Sequence, residues 1–535
     1  QEPPPVTYAV VVKASTYQDP DWAAVVDVLL TRYCATVFTY AADVWEVQGP
    51  LGDYHPTHIA FVTQPLDAHR SFVNNALRLT RALDEDPYGD ALWGVITGYD
   101  AADAYRVASG PPTMTISNVI LNDCGSLLNY AHRGTYFACH IYNFMVVKQE
   151  SGQLDTLYGP TDCVDTLIAM LNDNDVDLFM TAGHGNHDQW QRHYPEAGYE
   201  GFFRSSAGQL YGDPYSGPNT NANSINPKIV FNPYSCLVGK IANMNSLVPA
   251  WFHTAGAYQY AGYMVTIGYC YNGKGVHEYL WNQQDRFTYA EACYLSNQAL
   301  LFDQINLTPG VDQSNLSYER DEFAFYGDPA GEARLEPEMA PLYSDAFMVT
   351  PGPGDCDTVR CVITMNRAGH PWNYGGNPAF AFPPFDISEP EVIYTDAHTA
   401  VVTEEFVLLD IWNNGDPDLQ PGETREVIFT CNLTASGIDD EIPPGALRAE
   451  VSLYQNYPNP FHPQTTISYR LSEATRISIK VYDVKGRLVE TLYDDLQEAG
   501  HHSMVWNTEG VNSGIYFYRI AADGFEDARK CVILK

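Results

Sequence analysis

Positive charge is what this 535-residue chain has least of: 29 lysines and arginines stand against 66 aspartates and glutamates, a net charge of −37. Such a surface repels phosphate polymers and anionic lipid, which excludes nucleic acid and anionic membrane as partners. Long apolar runs are missing too. No stretch of about eighteen apolar residues occurs, so no transmembrane helix is expected. The chain opens Gln1-Glu-Pro-Pro-Pro5 without a methionine, as expected of a mature chain after removal of a signal peptide. At this length one core is not enough, and three or more domains are expected.

The first part, residues 1–150, alternates strand-like and helix-like segments. Val6 to Val12, His58 to Thr63 and Leu92 to Thr97 read as buried strands, while Pro20 to Leu30 and Ser71 to Leu83 read as helices. This is the pattern of βαβ units and a mostly parallel sheet. Residues 151–335 begin with an amphipathic helix, Asp162 to Leu171, and then supply two short apolar runs. Asp177 to Gly183 delivers His184-Gly185, and Lys228 to Ser235 delivers Cys236. Each run reads as a parallel strand closed by turn residues, and reacting groups in open α/β sheets gather at such carboxyl ends.

His and Cys are the residue types a thiol hydrolase needs. A free thiol has a pKa of about 8.5; a neighbouring imidazolium lowers it and later protonates the departing amine. Gly185 lets a backbone N–H approach a carbonyl, and with the N–H of Cys236 it completes an oxyanion hole. The residues expected to carry the chemistry are therefore Cys236 as nucleophile, His184 as general acid/base, and the amides of Gly185 and Cys236. No cofactor is required for this chemistry. His187, Asp188 and His193 crowd the histidine, and Tyr211 to Pro227 forms an insertion expected to lie over the cleft.

Eleven cysteines are an odd number. With Cys236 set aside as a free nucleophile, ten remain for up to five disulfides in an oxidising compartment. Cys356 and Cys361 are the most obvious local pair, and their spacing lacks the second half of a zinc site.

Three pieces together carry a resemblance. Ala182-Gly-His-Gly185, the strand ending in Ser235-Cys236, and Glu322-Phe-Ala-Phe-Tyr-Gly-Asp-Pro329 resemble the catalytic unit of gingipain-type peptidases, which have a caspase-like fold. The segment Tyr289 to Leu300 fits that family's helix before the close. The resemblance implies an α/β caspase-like unit of two subdomains, and a secreted cysteine endopeptidase acting on protein or peptide substrates through a thioacyl intermediate.

From about Leu335 proline and glycine multiply and helical periodicity vanishes. Residues 336–448 read as an Ig-like β-sandwich, with strands at Val402 to Leu409 and Glu426 to Thr430. Within it Asp410, Asn413, Asp416, Asp418 and Glu423 cluster oxygen side chains around turn residues, a setting suited to a structural calcium ion or to a solvated acidic turn. Residues 449–535 form another all-β unit, in which Ile477, Ile479 and Val481 alternate with polar positions. Asn456-Tyr-Pro-Asn-Pro-Phe461, Tyr482-Asp483 with Gly486-Arg487, Trp506, Ser513-Gly-Ile-Tyr-Phe517 and the terminal Lys535 closely resemble the type IX secretion sorting domain. That resemblance implies export by the type IX machinery of a Gram-negative bacterium, with release or attachment at the outer surface.

Two rival readings remain. Gly185-Asn-His-Asp188, Asp67-Ala-His69 and Gly89-Asp90 are words of a metal-dependent phosphoesterase, in which two metal ions activate water. The later Gly-His pair, Gly369-His370, falls in the β region, away from those words. The other rival is a catalytically inactive caspase-like scaffold serving as a surface adhesin or filament subunit, consistent with its 37 tyrosines.

Overall fold

The computed structural model describes residues 7–138, 144–159, 162–173, 175–191, 201–350, 352, 356–371, 377–434, 451–453, 456, 461, 463–471, 475–483, 487–497, 500–508, 510–522 and 525–533. Cys139, His193, Gly486, Lys535 and most of the Asn456-to-Phe461 motif lie outside them.

Twelve strands build one sheet: Tyr8–Lys13 (β1), Thr36–Tyr40 (β2), His58–Val62 (β3), Leu92–Ile96 (β4), Asn118–Asn122 (β5), Arg133–Phe137 (β6), Phe144–Lys148 (β7), Leu154–Tyr158 (β8), Leu178–Thr181 (β9), Lys228–Phe231 (β10), Ala257–Tyr263 (β11) and Phe323–Tyr326 (β12). Their spatial order is β2-β1-β3-β4-β12-β11-β10-β9-β5-β6-β7-β8. Every residue of β9, β10, β11 and β12 is buried, Thr181, Lys228 and Gln259 included, which is why these strands read as mostly apolar runs rather than as alternation. The expected break near residue 150 falls in the turn of the antiparallel hairpin β7–β8.

Strand direction decides where the chemistry goes. β1 to β4 run parallel with each other and with β12. β12 then meets β11 antiparallel, and β11, β10, β9, β5 and β6 run parallel among themselves. The carboxyl ends of the first block therefore lie on the opposite rim from those of the second. His184, Cys236 and the residues after β5 and β11 share one rim; Asp67 and His69, after β3, leave from the other.

The helices form where periodicity and caps place them. Pro20–Tyr33 starts at Asp19, whose carboxylate accepts from the Asp21 N–H at 3.0 Å, with proline in the first turn. Arg70–Leu79, Val164–Asn172 and Tyr289–Ile305 follow, the last opened by a reciprocal Thr288–Glu291 capping box. Two hydrophobic cores result. One packs helices such as Pro20–Tyr33, Val164–Asn172 and Leu247–Thr254 against the sheet. The other joins Tyr271–Trp281 and Tyr289–Ile305 to Phe380, Phe406 and Leu408 of the following β-sandwich.

That sandwich pairs a four-stranded sheet, Tyr343–Thr350, Cys356–Met365, Thr424–Thr434 and Asp386–Thr395, with a three-stranded one, Ala379–Ala381, Val407–Asp410 and Thr399–Val402. The segment expected as one strand, Val402 to Leu409, is instead a hairpin corner. Thr403 Oγ1 accepts from the amides of Glu405 and Phe406, each at 3.1 Å, and turns the chain. In the C-terminal unit Ile477, Ile479 and Val481 are buried with Trp506, Tyr518 and Ile520.

The disulfide expectation is corrected. Cys34, Cys124, Cys236, Cys270, Cys293, Cys356, Cys361, Cys431 and Cys531 are free thiols. Cys356 is exposed and Cys361 buried on one strand. Five residues along a strand put side chains on opposite faces and about 16 Å apart, far beyond bridging range.

Candidate functional site

β9 and β10 are neighbours in register, Met180 opposite Phe231, so the segments leaving them emerge side by side. After β9 the chain turns at Gly183, φ 148°, and presents His184 exposed at the rim. The His184 carbonyl accepts from the Gln191 N–H at 2.8 Å, and Gly185–Asn186 pairs with Gln189–Gln191, which fixes the histidine segment in a short hairpin. After β10, Asn232 Oδ1 accepts from the Ser235 N–H at 3.0 Å, and buried Ser235 accepts from Trp190 Nε1 at 3.1 Å. The turn is completed by Leu237 in the left-handed region, φ 62°.

The two segments touch. A Cβ placed on Gly185 would lie 2.5 Å from Val238 Cγ1 and 2.7 Å from the Cys236 carbonyl oxygen. No side chain fits at position 185, and the backbone beside His184 lies directly against the backbone of Cys236. Half-buried Cys236 is held by a third strand end: its Sγ accepts from the Ile267 N–H at 3.3 Å and lies 3.6 Å from the Ile267 carbonyl oxygen.

The strand order brings in residues that the sequence reading missed. Asp123, in the left-handed region at φ 58°, follows β5 on the other side of β9. Cys270, buried, follows Ile267 on the same rim; burial, Glu319 and the neighbouring charge of Cys236 push its thiol up to about 12. Glu319 accepts from the amides of Cys270 and Tyr271, each at 2.8 Å. No motif signals Asp123 or Ile267, because their relevance comes from strands pairing across the chain.

Other sequence candidates are placed elsewhere. His187 is tied to its own hairpin, Nδ1 to Asn186 Oδ1 at 3.0 Å and Nε2 to Asn243 Nδ2 at 3.4 Å. His69 caps a helix by accepting from the Phe72 N–H at 3.2 Å, and Asp67 pairs with Lys13 at 3.6 Å. The phosphoesterase words are thus split between opposite rims. The insertion expected over the cleft packs instead along the helix Val164–Asn172: Thr220 Oγ1 bonds Asp165 at 2.7 Å and the Asn223 N–H bonds Asn172 Oδ1 at 2.7 Å.

The five oxygen residues of the sandwich loop divide between two settings, Asp410 and Asp416 around Asn413 and the others on their own partners. Asp416 accepts from the Asn413 N–H at 2.9 Å and bonds His398 at 2.7 Å. Asp418 bonds His370 at 2.7 Å, Asp410 accepts from Asn413 Nδ2 at 2.9 Å, and Glu423 accepts from the Gln420 amide. Among the described residues, two other groups bring three ligand atoms within 4.8 Å of one another. In one, Asp100, Asp103 and His253, the carboxylates are occupied by helix-cap amides and by His253 Nδ1 at 2.8 Å. The other is Asp84, Asp86 and Asp90, just before β4.

Among known proteins, the family described as secretion system C-terminal sorting domain matches residues 455–534. No curated protein sequence matches the chain. Two solved structures are similar at low level. A β-glucuronidase of Faecalibacterium prausnitzii shares 9% identity over 37% of this chain and 47% of its own, with a TM-score of 0.12. PorZ, a surface component of the type IX secretion system of Porphyromonas gingivalis, shares 12% over 73% of this chain and 56% of its own, with a TM-score of 0.13. The chain thus spans about half the length of each, and scores this low carry no structural argument. No helix among the described residues is long and apolar enough to cross a membrane. Residues 455–534 make the chain a type IX secretion cargo, sorted by its C-terminal domain and secreted or attached at the outer surface.

Proposed function

We propose that the chain is a cysteine endopeptidase of gingipain type with a caspase-like catalytic unit. The observation that supports it most is the contact of Gly185 with the Cys236 backbone, which sets a histidine and a thiol on adjacent strand ends. In this reading Cys236 Sγ attacks the carbonyl carbon of the scissile peptide, and the amides of Gly185 and Cys236 receive the oxyanion. His184 gives its proton to the departing amine, leaving a thioacyl enzyme. Water, losing a proton to His184, then attacks the thioester and releases the carboxylate product with the thiol. Asp123 supplies a carboxylate at the same rim for orienting the imidazole.

The test uses the full chain and an unbiased peptide mixture with mass-spectrometric readout. Cys236→Ala removes the attacking atom and takes cleavage to background with the melting temperature kept. His184→Ala leaves an alkylatable thiol but lowers turnover by about a hundredfold to ten-thousandfold. His187→Ala changes little. Full cleavage by Cys236→Ala defeats the proposal, and an inert thiol towards substrate-mimicking alkylators favours the surface-scaffold reading.

A further inference from the structure

The loop before β4 carries the second acidic group. Asp90 is 9% exposed; one oxygen accepts from the Leu83 N–H at 2.9 Å, and the other, Oδ1, is buried with no hydrogen-bond partner. Asp84 and Asp86 offer oxygens within 4.8 Å of it and of each other. They are held there by the loop itself, since Asp84 Oδ1 accepts from the Asp86 N–H at 2.8 Å and Asp86 Oδ1 from the Tyr88 N–H at 2.7 Å.

A fourth carboxylate arrives from the β-sandwich. Phe406, at the Thr403 corner, sets its ring 5.6 Å from Tyr88 and 6.3 Å from Tyr294, whose hydroxyl donates to the Gly89 carbonyl. Next to it Glu405 has its Oε2 buried and again without a partner. Two buried carboxylate oxygens in two different domains therefore lack donors, and both sit among other carboxylates. Burial and then the neighbouring acids hold Asp90 and Glu405 well above the usual carboxylate range.

An unpartnered buried carboxylate is costly unless a proton or a cation meets it. The donor set is all carboxylate oxygen, with no thiolate or imidazole among the four, which suits a hard cation taking six to eight oxygens on an adaptable loop rather than zinc or copper. We propose that Asp84, Asp86, Asp90 and Glu405 form a calcium site that joins the α/β unit to the β-sandwich. The site stands independently of the peptidase reading. It differs from the loop of Asp410 to Glu423, whose carboxylates accept from protein donors.

The test uses the chelator-treated full chain, titrated with calcium chloride and, separately, magnesium chloride by calorimetry, with melting temperature and hydrogen exchange alongside. Calcium should bind with a dissociation constant at or below about 10⁻⁴ to 10⁻³ M, the range of extracellular modules. Exchange should slow together in residues 83–90 and 403–409. Asp90→Asn should lower calcium affinity at least a hundredfold and Glu405→Gln at least tenfold. Both variants should melt higher than wild type in chelator, because each removes a repelling charge; a merely structural role for either side chain predicts a lower value. Asp418→Asn should bind calcium as wild type does. The proposal is overturned if calcium does not bind, if Asp90→Asn binds it normally, or if Glu405→Gln leaves affinity and the exchange of 403–409 unchanged.

Discussion

Tyr8 on the first strand donates its hydroxyl hydrogen to Asp328 Oδ1 at 2.8 Å, across 320 residues of chain. Tyr33 donates to the other oxygen at 2.6 Å, and the Ala330 N–H reaches Oδ1 at 3.0 Å. The aspartate of Gly327-Asp-Pro329 is thus a fully buried clasp between the ends of the α/β unit, away from the rim of His184 and Cys236.

Asp328→Ala leaves two phenols and an amide without their acceptor. Stability should fall by about 2–5 kcal/mol in urea unfolding, with Asp328→Asn falling less because its carbonyl oxygen still accepts. Equal midpoints for the two variants and wild type would show that the clasp contributes nothing.

Gly185→Ala puts a methyl group where Val238 and the Cys236 carbonyl already stand. Overpacking of this kind costs about 1–3 kcal/mol, and, on the peptidase proposal, displacing the His184 segment by about 1 Å costs about a hundredfold in rate. Cleavage should drop by that factor through kcat while the chain still unfolds cooperatively. Unchanged kcat would separate position 185 from the chemistry.

The stabilisation given by calcium should depend on pH with a definite sign. Burial raises Asp86 to about 6 and pushes Asp90 and Glu405 upward, against an unfolded value near 4. Where the folded carboxylates hold protons that the unfolded chain has released, stability without the cation falls as pH rises through the folded pKa values. Calcium competes with those protons. Its increment in melting temperature should be small at pH 4.5 and grow towards pH 8, as read by calorimetry; an increment that shrinks over that range contradicts the assignment.

A chain ending at Arg448 lacks the sorting domain but keeps the α/β and sandwich cores, since the C-terminal core draws on its own residues from Phe461 to Ile533. It should melt like the full chain yet remain inside the native cell. Surface labelling of the truncated chain at the normal level would refute the sorting role.

The sequence disclosed what is local. Val6 to Val12, His58 to Thr63, Leu92 to Thr97, Asp177 to Gly183 and Lys228 to Ser235 announce buried parallel strands, and structure follows at β1, β3, β4, β9 and β10. Caps such as Asp19 and Thr288 mark helix starts within a turn or less. Pairing across the chain was hidden. Nothing near Asp123 says that its strand flanks the strand of His184, and nothing in Asp84-Glu-Asp86 names Glu405, more than 300 residues away. The disulfide expectation rested on cysteine number and on the closeness of Cys356 to Cys361 in sequence, whereas bridging is decided by which face of a strand each thiol occupies. The sandwich loop shows the same limit from the other side: of its oxygen residues close in sequence, Asp410 and Asp416 gather on Asn413, while Asp418 and Glu423 turn to His370 and Gln420.

Strand β12 is the last of its sheet to be synthesised, and it lies in the middle, between β4 and β11. The sheet therefore does not grow outward from one edge; it waits for a keystone. Before Phe323 to Tyr326 arrive, β4 and β11 each present a row of unsatisfied N–H and C=O groups, and closing the gap means bridging most of the preceding chain. Folding should be slow for the size of the unit and late in the order of events. A nascent or partly exported chain that stops short of residue 323 holds two open β edges, the feature that makes it a client for holding factors and a template for strand exchange between copies.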